Sequence, residues 1–268
     1  MNEIQGFYKH YFGDPLYCYP DYQLQRLETP PVRTVVHIPA RSRSSRLQDK
    51  CIQELAGIPL LAYSVLVARK TPGVDRVIVN TDSEKYAEIA ELYGAEAPFI
   101  RPAELAQSST PKFTTPYLIG WLAGEKYPWK NLITLYPTSP FRSVNILKDI
   151  LEKLQTTAAI NACCPTSFRP GNYYVRRKGF QKRLFLNRDL KNMPQGAFKT
   201  MGNFLAGNRT KRKSFRYKVI RNPVELIDID TYEDLCLAEE VLQKGLHDFG
   251  FPLKSYQPSI ARGEACLN

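Results

Sequence analysis

The chain has 268 residues, 43% of them hydrophobic, and a formal net charge of +11. That is long enough to bury a full core without staples, and no apolar run is long enough to cross a membrane. The first residues, MNEIQGFYKHYFGDPLYCYPDY, lack the apolar core of a secretory leader, and the six cysteines show neither CxxC nor metal-ligand spacing, which predicts a cytoplasmic protein with reduced thiols.

Residues 1–32 are aromatic and Pro-rich without periodicity and read as an N-terminal extension. From there strand and helix patterns alternate. TVVHIP is a strand, PLLAYSVLVARK a helix with Pro59 in its first turn, and RVIVNT a strand. SEKYAEIAELYGA is an amphipathic helix ended by Gly94, and PKFTTPYLIGWLAGE a helix opened or interrupted at Pro116. NLITLYP, VNILKDILEKLQ and AAINACCP follow as strand, helix and strand. The alternation predicts an α/β fold with a mostly parallel sheet and helices on both faces. The pattern then changes. NYYVRRKGFQKRLFL reads as a hairpin turning near Lys178-Gly179, FRYKVI as a strand, and TYEDLCLAEEVLQKGL as a last helix capped by Thr231 and Asp234. The main domain is expected over 33–245, with a projecting segment at about 168–205 and a tail from 246 to 268.

Charge is uneven along the chain. Between Arg169 and Arg221 sixteen Lys/Arg face one acid, Asp189; this local +15, taken from +11, leaves −4 for the rest. Such a segment serves nucleic acid, anionic lipid or a polyanionic small substrate, or is a solvated face.

The sharpest feature follows the first strand. TVVHIPARSRSSRLQDK leaves a buried strand for Arg41, Arg43, Arg46 and Lys50 with serines between them. Open parallel sheets bind ligands at the carboxyl ends of their strands, and cations with hydroxyls there suit a phosphate chain. The loop is neither GxxxxGK[ST] nor GxGxxG. Near the C-terminus, Asp228 and Asp230 lie two apart, so an extended backbone turns both to one side. They suit one hard cation, or form a cap pattern before the last helix.

Read together, four blocks resemble the acylneuraminate (CMP-sialic acid) cytidylyltransferase family. IPARSRSSRLQDK is similar to its phosphate loop, and VNTDSEKYAEIAELYGAEAPFIRPAELA to its second block. LYPTSPFRS is similar to its Pro-Thr-Ser-Pro block, and IDIDTYEDL to its Asp-x-Asp-Thr. The resemblance covers roughly residues 34–240. It implies a Rossmann-like nucleotidyltransferase that joins CTP to an acidic sugar with Mg²⁺, releasing pyrophosphate. It implies Arg41, Lys50 and Asp230 as catalytic residues, and Asp228 with Asp230 as metal ligands. Ser44, Arg46, Asp82, Arg101, Thr138 and Ser139 are then expected at the nucleotide, and Arg142, Gly202 and Asn203 at the sugar. It also implies a homodimer built through the projecting hairpin, with the basic charge serving small anions and not nucleic acid. Without the resemblance, Arg101 reads as a surface charge, Arg142 as either a sugar-carboxylate partner or a surface charge, Thr138 and Ser139 as a turn between prolines, and Ser42 and Arg43 as solvated loop.

The chain also departs from the family. Ser42 and Arg43 replace loop glycines, and SSRL is closer to 3-deoxy-manno-octulosonate cytidylyltransferases. Cys51 stands where an asparagine is usual, Ser108 where an aspartate is, and Met201 in a sugar-site Asn-Gly. Tyr136 and Phe141 look more like pseudaminic acid cytidylyltransferases. These changes leave the sugar open, and they leave open a catalytically reduced homologue that binds nucleotides or anions.

Overall fold

Strand β1, Thr34–Ala40, is buried at every position, as a central strand covered on both faces must be. In this computed structural model the described residues are 33–102, 105–106, 111–165, 173–177, 180–184, 198–211 and 214–256. After β1 come a short hairpin, β2 (Glu54–Leu55) and β3 (Ile58–Pro59), and helix α1 (Leu60–Lys70). Then follow β4 (Arg76–Thr81), α2 (Glu84–Leu92), α3 (Pro111–Gly124), β5 (Asn131–Leu135), α4 (Val144–Leu154) and β6 (Ala159–Pro165). The last elements are β7 (Tyr173–Arg177), β8 (Phe180–Leu184), β9 (Phe198–Asn208), β10 (Phe215–Val219) and α5 (Tyr232–Gln243).

One eight-stranded sheet runs in the order β10-β6-β9-β5-β1-β4, with β7 on β9 and β8 on β7. β4, β1 and β5 are parallel, as are β6 and β10, whereas β9 lies antiparallel between β5 and β6. The expected parallel α/β sheet is therefore present, with one reversed strand inside it. β7 and β8 pair antiparallel from Tyr173↔Leu184 to Arg177↔Phe180, which bears out the hairpin. Its turn and residues 1–32 lie outside the described residues. Residues 198–208, drawn in the sequence as part of the projecting segment or left without an element, belong to the sheet's interior.

Alternation along β1 divides the core. Val36, Ile38 and Ala40 join the larger cluster with α1, α4 and α5, while Val35 joins Leu118, Leu122 and Trp129 of the α3 side. Leu60 to Ala68 of α1 are buried without a break, so this helix sits inside the protein and not on its surface. Ser83 and Ser143 cap α2 and α4 by accepting from Tyr86 and Ile146 N–H. Thr231 and Asp234 form the expected reciprocal box at α5. Pro116 does not open α3: the helix begins at Pro111 and carries Pro116 inside it. The chain beyond 245 also packs on the core, where Phe249 is buried against Tyr63, Phe141 and His247. No helix among the described residues is long and apolar enough to cross a membrane.

A small polar cluster sits within the α3 side of the sheet. His37 of β1 is fully buried, its Nδ1 3.3 Å from Thr134 Oγ1 and its Nε2 3.3 Å from Asn80 Nδ2. Burial, with the Arg101 charge adding, pulls its pKa from 6.5 down to about 3. Between those values the unfolded chain holds a proton that the folded core refuses. Stability from this residue is full above about pH 6.5 and falls as pH drops towards about 3. On going from about pH 7 to about pH 5, the wild type should lose about 2 kcal/mol more than a His37→Gln variant. Urea unfolding at both pH values checks this, and equal losses would refute the neutral buried imidazole.

Candidate active site

The segments that follow β1 and β4 line one cleft with polar residues. The loop after β1 lines a hollow of about 540 Å³ through Arg41, Ser42, Arg43, Ser44 and Gln48. A second hollow of about 580 Å³ shares Arg41, Ser42 and Arg43 and adds Asp82, Arg101, Pro102 and Ala106. Arg41 and Ser44 are half-buried; Arg43 and Arg46 are exposed.

Two carboxylates from distant parts of the chain hold this loop. Asp230 receives Lys50 Nζ at 2.5 Å and Arg46 Nη1 at 2.7 Å. Lys50 is mostly buried, at 12% exposure, and Arg46 is 63% exposed, so the Lys50 pair is the less screened of the two. Asp82, at the end of β4, accepts from Ser42 N–H at 2.8 Å and from Ser42 Oγ at 2.9 Å. Ser42, read from the sequence as solvated loop, is therefore tied down. Nothing in one dimension shows this bond, since its partners are 40 residues apart. Cys51 at the loop's end is buried, and burial pushes its thiol up to about 11, which keeps it protonated and unreactive.

The acidic segment lies against the loop after β5. Ile229 N–H donates to Thr138 O at 2.7 Å, and Ser139 Oγ lies 3.5 Å from Asp228 Oδ1. Asp228 is exposed, whereas the Asp230 side chain is 29% exposed. Asp234 is engaged elsewhere, accepting from Asp230 N–H, Thr231 N–H and Thr231 Oγ1. Those hydrogen bonds hold its carboxyl below the usual range against the opposing effect of burial.

Both predicted arginines are interior, contrary to a reading as surface charges. Arg142 is fully buried and donates to Asn203 O at 2.6 Å, Ser64 Oγ at 2.5 Å and Tyr136 O at 2.8 Å. Burial lowers its pKa to about 9, opposed by Asp228, so it stays charged at neutral pH. It ties the turn after β5 to β9 and α1 and has no exposed surface to offer a sugar. Arg101 is 1% exposed and sits at the cleft. Its Nη1 reaches Asn80 O at 3.4 Å and Asn80 Oδ1 at 3.3 Å, and its Nη2 lies 3.9 Å from Asp82. Burial lowers its proton affinity, Asp82 raises it and Arg41 lowers it. Gly202 is exposed with open space where a Cβ would stand, and Asn203 is buried, its Nδ2 donating to Glu225 O. The structure thus sets Arg41, Ser44, Asp82 and Arg101 in the cleft lining and pairs Arg46 and Lys50 of the same loop with Asp230, whose segment touches Thr138 and Ser139.

A family profile described as Cytidylyltransferase matches residues 35–113. The chain is 31% identical over 232 residues to pseudaminic acid cytidylyltransferase of Campylobacter jejuni, covering 80% of this chain and 97% of that one. It is 27% identical over 226 residues to CMP-N,N'-diacetyllegionaminic acid synthase of Legionella pneumophila, covering 79% and 97%. A solved structure of CMP:2-keto-3-deoxy-manno-octonic acid synthetase complexed with CTP superposes with a TM-score of 0.62 at 18% identity, covering 80% of this chain and 99% of that chain. At that identity the likeness concerns the fold.

The bracing by Arg142 is open to direct measurement. Arg142→Met removes three charge-assisted bonds from an enclosed site and should cost about 2–4 kcal/mol in urea unfolding. Arg142→Lys keeps the charge without the planar fork and should lie between the two. A loss under about 1 kcal/mol for the methionine variant would show the bracing to be incidental.

Proposed function

The chain belongs to the cytidylyltransferase family, and from that premise we propose that it transfers CMP from CTP to an acidic sugar of the nonulosonic class, releasing pyrophosphate. The observation that carries the reading is the contact of Lys50 and Arg46 with Asp230, across 180 residues for Lys50. Cations suited to a triphosphate and a carboxylate suited to a metal meet at one point of the cleft. A catalytically reduced homologue was the other expectation from the sequence; the presence and contact of all these groups favour turnover.

In this reading the sugar hydroxyl attacks the α-phosphorus in line and pyrophosphate leaves. The reaction needs positioning and charge stabilisation more than covalent help. Arg41, Lys50, Ser44 and Arg46 bind the triphosphate, and each charged contact contributes about 1.5–3 kcal/mol. Asp82 holds the loop's backbone through Ser42, and Arg101, Thr138 and Ser139 face the nucleoside. Gly202 and Asn203 mark the sugar side; Arg142 acts on it only through the Asn203 carbonyl that it holds.

Asp228 and Asp230 fit a Mg²⁺ ion by their chemistry. They are hard oxygen donors two residues apart just before α5, and Asp228 is open to solvent. Asp230 is engaged by Lys50 and Arg46, and it would be free to hold the ion with Asp228 once those cations bound phosphate oxygens. When bound, the ion polarises the phosphate and lowers the barrier to attack by the hydroxyl. We assign the protein to the cytoplasm and to a homodimer through β7–β8, a hairpin whose β7 pairs with Phe198 and Lys199 at the start of β9. The basic stretch around it draws in anionic substrates.

Pyrophosphate release should require CTP, Mg²⁺ and one of a panel of sialic, pseudaminic, legionaminic and 3-deoxy-manno-octulosonic acids. Asp230→Asn and Asp228→Asn should each lower kcat by about 10²-fold or more while the fold survives. Full activity in the double variant would remove the metal assignment, and no release with any sugar acid would overturn the function. Light scattering should give twice the monomer mass, and a monomer at micromolar concentration would exclude the dimer.

A further inference from the structure

Beneath the cleft lies a polar chain that the proposed chemistry does not use. Both hydrogen bonds from the Arg101 guanidinium to described residues end on Asn80, and its Nε and Nη2 have no hydrogen-bond partner there. Beyond these bonds the described residues offer it Asp82, 3.9 Å from Nη2, so a guanidinium so sparsely held leans on Asn80. Asn80 is itself fully buried. Its Nδ2 donates to Thr114 O at 2.9 Å, and its second N–H points at His37 Nε2, 3.3 Å away.

The chemistry of these groups allows one arrangement. Asn80 must offer Oδ1 to Arg101, because turning the amide would set NH₂ against the guanidinium and oxygen against the Thr114 carbonyl. With NH₂ facing His37, the imidazole Nε2 must be a bare acceptor. Its proton then sits on Nδ1 and is given to Thr134 Oγ1. We propose that His37 is a positioning residue for nucleotide binding: as a neutral, Nδ1-protonated imidazole it fixes the Asn80 amide so that Oδ1 holds Arg101 at the cleft. Its full burial, and a basicity lowered first by that burial and then by the Arg101 charge, keep the ring neutral and its acceptor available. Loss of the acceptor leaves an Asn80 N–H buried without a partner. The amide then gains rotational freedom, and with it Arg101.

This inference rests on the reading of the Arg101 cleft as the CTP site. Calorimetry with CTP should give an affinity about ten-fold weaker for His37→Leu, the scale of one charge-assisted contact. His37→Gln places an amide oxygen near the Nε2 position and should recover affinity to within about two-fold of wild type. In steady state the leucine variant should raise KM for CTP while kcat and KM for the sugar acid hold, a split that a purely structural defect would not give. Nitrogen-15 shifts of His37 in the unmodified protein should show a protonated Nδ1 and a bare Nε2 at neutral pH, whether or not the leucine variant folds. An Nε2-protonated ring or an imidazolium would overturn the proposal, as would undiminished CTP affinity in a folded leucine variant. If the wild type itself fails to bind CTP, the assignment of the cleft has failed instead.

Discussion

Asp230 is the knot that joins the two ends of this site. A loop carrying Arg41, Arg43, Arg46 and Lys50 repels itself, and it needs counter-charge to keep one shape without a ligand. The fold supplies it from elsewhere: Asp230 for Lys50 and Arg46, and Asp82 for the backbone and hydroxyl of Ser42. Asp82 directly follows β4, and Asp230 comes from the segment before α5, which lies against the loop after β5. In the proposed reaction the triphosphate would take over the cations, and Asp230 would be free to hold a metal with Asp228. The same cations thus hold the loop to Asp230 and would bind the substrate.

Arg101 and Arg142 show how burial separates a bracing arginine from a binding one. Arg142 spends its donors on Asn203, Ser64 and Tyr136, and those bonds close the turn after β5 onto β9. Each arginine keeps a buried Nε without a hydrogen-bond partner among the described residues, but Arg101, with Nη2 unpartnered as well, does so at the cleft. Buried donors without partners are costly, and a site that gains its missing acceptors from a ligand recovers that cost on binding. A sequence marks both residues as charged and therefore as surface; only their partners tell them apart.

Much of this was legible in one dimension, and for physical reasons. The runs VVHIP, RVIVNT and NLITL announce buried strands, and Thr231 with Asp234 announces a helix start, because these signals are local. The loop cations and the paired aspartates were legible as chemistry. β9 was not: FKTMGNFLAGN carries two glycines and little alternation, and its place between β5 and β6 comes from pairing across the sheet. Ser42–Asp82 and His37–Asn80 were hidden for the same reason, being contacts between β1 and β4 or the segments that follow them, over about 40 residues. Pro116 misled in the opposite direction, since tertiary packing carries the helix past it.

The central claim is that the loop after β1 holds the triphosphate by exchanging Asp230 for phosphate. A crystal structure with a non-hydrolysable CTP analogue and Mg²⁺ tests it most directly. The account predicts the triphosphate along residues 41–50, with Lys50 and Arg46 turned from Asp230 to phosphate oxygens, and the ion on Asp228 and Asp230. A nucleotide bound elsewhere, with the Lys50–Asp230 pair intact, would contradict it.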